Sequence, residues 1–285
     1  MRIAIIGLGL IGGSIGLALK RASGDRDLRV IGVPRREETV GKALSIGAID
    51  EGTTDTKKGV EGADLVLICT PINLILPVLK DIAPHLKAGA VVTDVGSSKA
   101  EIVSQAERAV PKGAYFVGGH PMAGKEKVKL EEAEADLFKG RIYVLTPTSR
   151  TSKKALEKVR YLVGLLGSRI MEMDPKLHDL VVAAVSHMPL AVAAALVNTV
   201  EFAEKGKDEM MRCAASGFRD TTRIASGDPA LGVDMFTTNK SSVLKMLSAF
   251  KKSLGRIEKL IKEGDPKKIE KELELAKIFR DSIYG

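Results

Sequence analysis

RIAIIGLGLIGGSIGLALKR, residues 2–21, restricts the possible fold more than any other stretch of the chain. It reads as a short buried strand over 2–6, a glycine turn, and a helix running to about Lys20. Gly7, Gly9 and Gly12 form GxGxxG in the context that gives the motif meaning, with a strand before it and a helix after it. The glycines permit a tight turn, close approach of backbone to a pyrophosphate, and close packing of helix on strand. With Leu8, Leu10 and Ile11 between them, they present backbone amides at a helix N-terminus, where phosphates are held. The predicted ligand is a dinucleotide.

The next strand, LRVIGV (28–33), ends at Pro34, Arg35 and Arg36, without the acid that would bond the ribose hydroxyls of NAD. Two guanidiniums suit the 2′-phosphate of NADP, so NADP is favoured and NAD is the alternative. The other reading of Arg35 and Arg36 is a solvated helix start paired with Glu37 and Glu38. DLVLICTP (64–71), AVVTDVGSSK (90–99) and AYFVGGH (114–120) read as further strands of a doubly wound parallel sheet of Rossmann type. Such a sheet binds ligands at its strand carboxyl ends. Cys69, Thr70, Pro71, Ser97 and Ser98 would lie there, and His120 would be delivered to the same edge. In GGHPMAG the glycines are expected to let a loop pack against cofactor or substrate, with Pro121 limiting its freedom.

RIYVLTP (141–147) and SRIMEMD (168–174) read as two closing strands around a helix at about 152–166. Asp174 then caps and Pro175 opens a long helix, expected to bend at Pro189, which lacks an amide proton. The remainder is helical. The apolar residues Val243, Leu244, Leu247, Phe250, Leu254, Ile257 and Ile261, then Ile269, Leu273 and Phe279, recur at helical spacing and are expected to be core. At 285 residues the chain suggests two domains of roughly 150 residues each.

A net charge of +8 could serve nucleic acid, a membrane surface or a small anion. The basic residues are scattered among glutamates, tryptophan is absent and aromatics are 4%, so no nucleic-acid partner is expected. Residues 180–200 are uncharged and long enough to span a bilayer, yet they contain Ser186, His187, Pro189 and Asn198; a buried helix is favoured over a membrane helix. Cys69 and Cys213 read as reduced thiols of a cytoplasmic protein. No histidine falls in a ligand spacing, and no metal is expected.

GLGLIGGS, ICTPINLILPVL, TDVGSSK, GGHPMAG, SHMPLAV and SGFRDTTRIASGDP, in this order, resemble the prephenate/arogenate dehydrogenase family across nearly the whole chain. The resemblance implies oxidative decarboxylation of a cyclohexadienyl acid in tyrosine biosynthesis, by an N-terminal Rossmann-type domain (1–173) and an all-α C-terminal dimerisation domain (174–285). The 180–200 segment would then be buried largely by a second copy in a homodimer. His120 matches the family's catalytic histidine, Ser97 a serine beside it and beside the ring hydroxyl, and Arg223 an arginine that grips a substrate carboxylate. His187, Ser186, Asp220 and Glu126 match positions around the substrate; His187 read alone is a core histidine, and the two acids could instead pair with neighbouring cations. Lys125, where many members have threonine, and Gly232, where some have tryptophan, depart from the pattern. Prephenate is the expected substrate and arogenate the alternative. A dehydrogenase of another small acid, using Lys240, and a non-catalytic nucleotide sensor are further readings.

Overall fold

The computed structural model describes residues 1–24, 27–125, 127 and 129–284. Strand β1 (Arg2–Ile6) leads through Gly7 into α1 (Leu10–Ser23), then β2 (Arg29–Val33), α2 (Glu37–Ser45), β3 (Glu51–Gly52), α3 (Thr56–Val60), β4 (Leu65–Ile68) and α4 (Ile72–Ile82). β5 (Val91–Asp94), α5 (Ala100–Ala109), β6 (Tyr115–Pro121), β7 (Ile142–Thr146), α6 (Lys153–Leu165) and β8 (Arg169–Glu172) complete an eight-stranded sheet of order β3-β2-β1-β4-β5-β6-β7-β8. The chain runs outward from β1 to β3 and then crosses back to β4, so the crevice at the carboxyl ends of β1 and β4 is the topological switch point.

The strands are apolar on both faces because helices cover both. Ile3 and Ile5 of β1 join Ile15, Leu19, Leu67 and Leu162 on one side; Ala4 and Ile6 join Val66, Ile75, Leu79 and Ile102 on the other. Each of these Ile, Leu and Val side chains, withdrawn from water, contributes roughly 1.5–3 kcal/mol.

The sheet is not wholly parallel. β6 pairs parallel with β5 and then antiparallel with β7, with Gly118 opposite Thr146 and His120 opposite Val144. The glycines of GGHP are therefore strand residues, which corrects the expectation of a loop packed on a ligand. A Cβ on Gly119 would stand 2.8 Å from the Asp94 carbonyl oxygen, and one on Gly118 2.4 Å from Thr146 Oγ1. They are small because the neighbouring strands leave no room.

In the second half, Asp174 caps α7 (Pro175–Val182), a π-turn follows over Ala183–His187, and α8 (Met188–Glu201) continues the same helix. At the place of the expected bend the helix carries this π-turn: Met188 N–H donates to the carbonyl of Ala183, five residues back, directly before Pro189, which cannot donate. The rest is α9 (Lys207–Cys213), α10 (Ser216–Thr222), α11 (Pro229–Thr238), α12 (Lys240–Glu263) and α13 (Pro266–Tyr284).

Two expectations about this half fail within one chain. The helix from Pro175 to Glu201 reaches a mean hydropathy of 2.2 over its most apolar window, but only 22% of that window is buried. Of the apolar residues of α12 and α13 read as core, Val243 is buried while Leu254, Ile261, Leu273 and Phe279 are more than half exposed. Helical apolar spacing reports that a face is covered by something, and here the chain's own elements do not cover it.

Candidate active site

The glycine turn fits a dinucleotide. Gly7 has φ +94°, and a Cβ there would lie 2.7 Å from the carbonyl oxygen of Cys69 at the end of β4; a Cβ on Gly12 would lie 2.0 Å from the Gly7 carbonyl oxygen. These contacts draw β1, β4 and α1 together at the switch point. Gly9 caps α1 without a side chain, so no side-chain cap claims the amides of its first turn. Leu8 and Leu10 bury their side chains in the core and can offer only backbone to a ligand, and Ile11 follows them in the same turn. Thr70 Oγ1, at the end of β4, is buried without a hydrogen-bond partner among the described residues, and Pro71 caps α4 beside it. The Cys69 thiol is free, and burial, then Asp94, push its pKa up, so it stays a neutral lining group.

Arg35 and Arg36 are exposed at the end of β2. The carboxylates that could have neutralised them are engaged elsewhere: Glu38 pairs with Lys42 at 2.7 Å and Glu37 accepts from Thr54 Oγ1 at 2.7 Å. Two exposed cations are thus left beside the crevice, Arg36 attracted to Glu38 only through space.

His120, half-buried near the end of β6, is held by a chain of contacts. Its Nδ1 lies 2.9 Å from His178 Nε2, the rings meeting edge-on at 73°, and His178 Nδ1 lies 2.9 Å from Asp179 Oδ1. Asp179 is anchored in turn, since Oδ1 accepts from the Lys99 amide at 2.6 Å and Oδ2 from the Ala100 amide at 2.9 Å. A carboxylate only accepts, so His178 carries a proton on Nδ1 and, as a neutral ring, accepts at Nε2. His120 therefore donates from Nδ1, which leaves Nε2 as a lone pair. Burial above all, and then His178, Lys99 and His187, hold the His120 pKa well below its ordinary value, so the lone pair persists at neutral pH.

Beneath this chain, Lys99 and Asp94 form an ion pair with both side chains fully buried. Asp94 also accepts from the amides of Gly96 at 2.9 Å and Gly119 at 3.2 Å. Such a pair is weak evidence of stability, because desolvation offsets attraction. Its geometric effect is specific: it ties the loop after β5 to the residue preceding His120. In that loop Ser97 Oγ is buried without a hydrogen-bond partner among the described residues, while Ser98 Oγ donates to Thr238 Oγ1 at 2.9 Å and joins the sheet to α11.

The π-turn separates two neighbours. Ser186 faces a cleft of about 410 Å³ that is also lined by Lys125, Pro189, Ile224 and Gly232. His187 turns inward, fully buried, with Nδ1 3.3 Å from Asn239 Nδ2; burial foremost lowers its pKa to about 4. Lys125 is paired with Glu134 at 2.6 Å, which offsets the charge this departure brings to the cleft. Arg223 opens a 3-10 turn, Arg223–Ser226, whose Ile224 lines the same cleft. Asp220 is exposed and paired with Arg219 at 2.9 Å, apart from the histidine chain. Glu126 lies outside the described residues. Lys240 is exposed at the start of α12.

Sequence reasoning missed His178, Asp179, Lys99, Asp94 and Asn239. The one available signal was Asp174-Pro175, which starts a helix and so puts the adjacent His178 and Asp179 on its first turns, near the strand ends.

Residues 15–172 match the family described as prephenate dehydrogenase, nucleotide-binding domain, and residues 174–280 its dimerization domain. Prephenate dehydrogenase of Bacillus subtilis (strain 168) is 36% identical over 282 residues, which are 99% of this chain and 76% of that protein. Synechocystis arogenate dehydrogenase superposes with a TM-score of 0.87 at 36% identity, covering 99% of this chain and 100% of that one. Prephenate dehydrogenase from A. aeolicus, solved in complex with hydroxyphenyl propionate and NAD+, gives 0.92 at 35% identity, covering 99% and 98%.

Proposed function

The chain belongs to the prephenate dehydrogenase family of NAD(P)-dependent oxidoreductases, and from that premise we propose that it is an NADP-preferring enzyme that oxidatively decarboxylates prephenate to 4-hydroxyphenylpyruvate. The observation carrying this reading is the Asp179–His178–His120 chain, which leaves His120 Nε2 as an acceptor at the end of β6, on the same sheet edge as the glycine turn. The nicotinamide, when bound, supplies the hydride acceptor. His120 Nε2 accepts the hydrogen bond of the ring hydroxyl and takes up positive charge as that carbon is oxidised. Asp179, through His178, favours the imidazole while its proton demand rises, as a buried carboxylate does behind a catalytic histidine. Ser97 Oγ, buried without a protein partner, is a second hydrogen-bonding group for the ring hydroxyl. Ser186, which lines the cleft, and Arg223, which directly precedes the cleft residue Ile224, hold the substrate carboxylates. Loss of carbon dioxide makes the ring aromatic and needs alignment rather than a further base.

The NADP preference rests on Arg35 and Arg36, which make no hydrogen bond or close ion pair with an acid among the described residues, Arg36 feeling Glu38 only as a through-space attraction. Arogenate is the second reading, supported by the likeness to the Synechocystis enzyme. Following reduced nicotinamide with prephenate and arogenate, each with NADP and with NAD, tests all of this: the highest kcat/KM belongs to prephenate with NADP, and no turnover with either acid sinks the proposal.

The division into a nucleotide-binding part (1–173) and a helical part (174–285) belongs to the same proposal, as do a cytoplasmic setting and a homodimer. The uncovered apolar face of α7, α8, α12 and α13 supports the dimer. Sedimentation is expected to give about twice the 30.5 kDa chain mass, and a stable monomer contradicts it.

A further inference from the structure

His187 is fully buried, and its two ring nitrogens are treated unequally. Nδ1 lies 3.3 Å from Asn239 Nδ2, whereas Nε2 is buried with no hydrogen-bond partner among the described residues. The orientation of the Asn239 amide is set independently, because Nδ2 donates to the Asp179 backbone carbonyl at 2.7 Å. A carboxamide nitrogen has only donors to offer, so its second N–H points at His187 Nδ1, and that nitrogen must hold a lone pair. The ring is neutral at neutral pH, since burial lowers its pKa to about 4. Its proton is therefore on Nε2, as an N–H donor that no group among the described residues accepts. A buried donor left unpaired costs about 1–3 kcal/mol. Such a cost is borne where an arriving acceptor removes it.

We infer that Asn239 is a positioning residue that locks His187 in its Nε2–H tautomer, so that His187 donates a hydrogen bond to an acceptor oxygen of the anionic substrate. The two site histidines are then held in opposite senses: His120 Nε2 accepts because Asp179 and His178 supply its donor side, and His187 Nε2 donates because Asn239 fills its acceptor side. The same asparagine bonds the backbone of Asp179, so one residue couples both settings. The inference rests on the function proposed above for the substrate's identity, but the tautomer itself does not.

The test begins on the substrate-free, full-length protein with ring-labelled histidine, using nitrogen-15 NMR at neutral pH and assigning His187 by difference from His187→Gln. The expected pattern is a protonated Nε2 and an unprotonated Nδ1, with the Nε2 signal moving when 4-hydroxyphenylpyruvate is added. An Nδ1–H tautomer, an imidazolium, or an unmoved Nε2 signal at saturating ligand overturns the inference. Asn239→Asp offers an acceptor in place of the donor, so it moves the proton to Nδ1 and raises KM for prephenate about 10- to 100-fold, with a smaller change in kcat and none in nucleotide affinity. A reversed tautomer with unchanged KM also overturns it. Should that variant not fold, His187→Gln, which keeps an N–H near the Nε2 position, is expected to raise KM less than His187→Asn, and equal effects are contradictory. Wild-type protein that turns over neither cyclohexadienyl acid refutes the proposed function, and the tautomer readout remains a separate result.

Discussion

His178 Nε2 lies 2.9 Å from His120 Nδ1, and this contact decides which nitrogen of His120 is available for chemistry. Because Asp179 accepts from the far side of His178, a neutral His178 sets the proton order along the three residues so that it ends in a lone pair on His120 Nε2. Four expectations follow from this arrangement and from the cation pair at the end of β2.

Asp179 both orients His178 and accepts the amides of Lys99 and Ala100. Asp179→Asn keeps the shape but sets an N–H against one of those donors. A stability loss of about 1–3 kcal/mol is expected, measured by denaturant titration. In folded protein kcat is expected to fall about 10²-fold or more, because the amide no longer enforces the tautomer. Unchanged kcat beside the stability loss would make Asp179 a structural anchor only.

The pH dependence has a definite sign. His120 is held well below its ordinary pKa and His187 is lowered to about 4, so both stay neutral in the native state where unfolded histidines protonate. The acid limb of kcat/KM is therefore expected below the ordinary histidine value of about 6.5. The unfolded chain binds more protons between about pH 6.5 and 4, so stability rises with pH across that window and is lost as pH falls through it. His187 contributes at most about 1.4 kcal/mol per pH unit. A limb at or above the ordinary value, or stability constant across the window, contradicts the burial argument.

Among the described residues Arg35 and Arg36 form no hydrogen bond or close ion pair with Glu37 or Glu38, whose direct partners are Thr54 and Lys42, although the Arg36 charge still acts on Glu38 through space. Converting both to Ala is expected to weaken NADP about 10- to 100-fold while leaving NAD nearly unchanged, because only the 2′-phosphate loses charge-assisted bonds. Titration of each nucleotide against both proteins measures this. Equal losses would place the arginines in a role common to both nucleotides.

Much of the architecture was legible because it is local. Strand, glycine turn and helix are contiguous over residues 2–21, and the steric need for Gly7 and Gly12 is met within the switch-point crevice itself. His120 was legible as the end of an apolar run. Its partners were not, because His178 is 58 residues away and the contact exists only once α7 packs beside β6. The glycines before His120 were misjudged for a related reason: their crowding comes from Asp94 and Thr146 on the flanking strands, and no sequence neighbour records it. The antiparallel pairing of β6 with β7 was hidden because a short apolar strand reads the same in either direction. The stripe on α12 and α13 was legible as a covered face, but the sequence period does not state whose surface covers it.

The central claim is that His120 Nε2 serves as the hydrogen-bond acceptor for the substrate hydroxyl. Its most direct test is His120→Asn, assayed for NADP-dependent turnover of prephenate at neutral pH alongside a nucleotide titration. A fall in kcat of about 10²–10⁴ with nucleotide affinity retained is the predicted result. Turnover that survives the substitution would leave His120 a strand residue with no part in the chemistry.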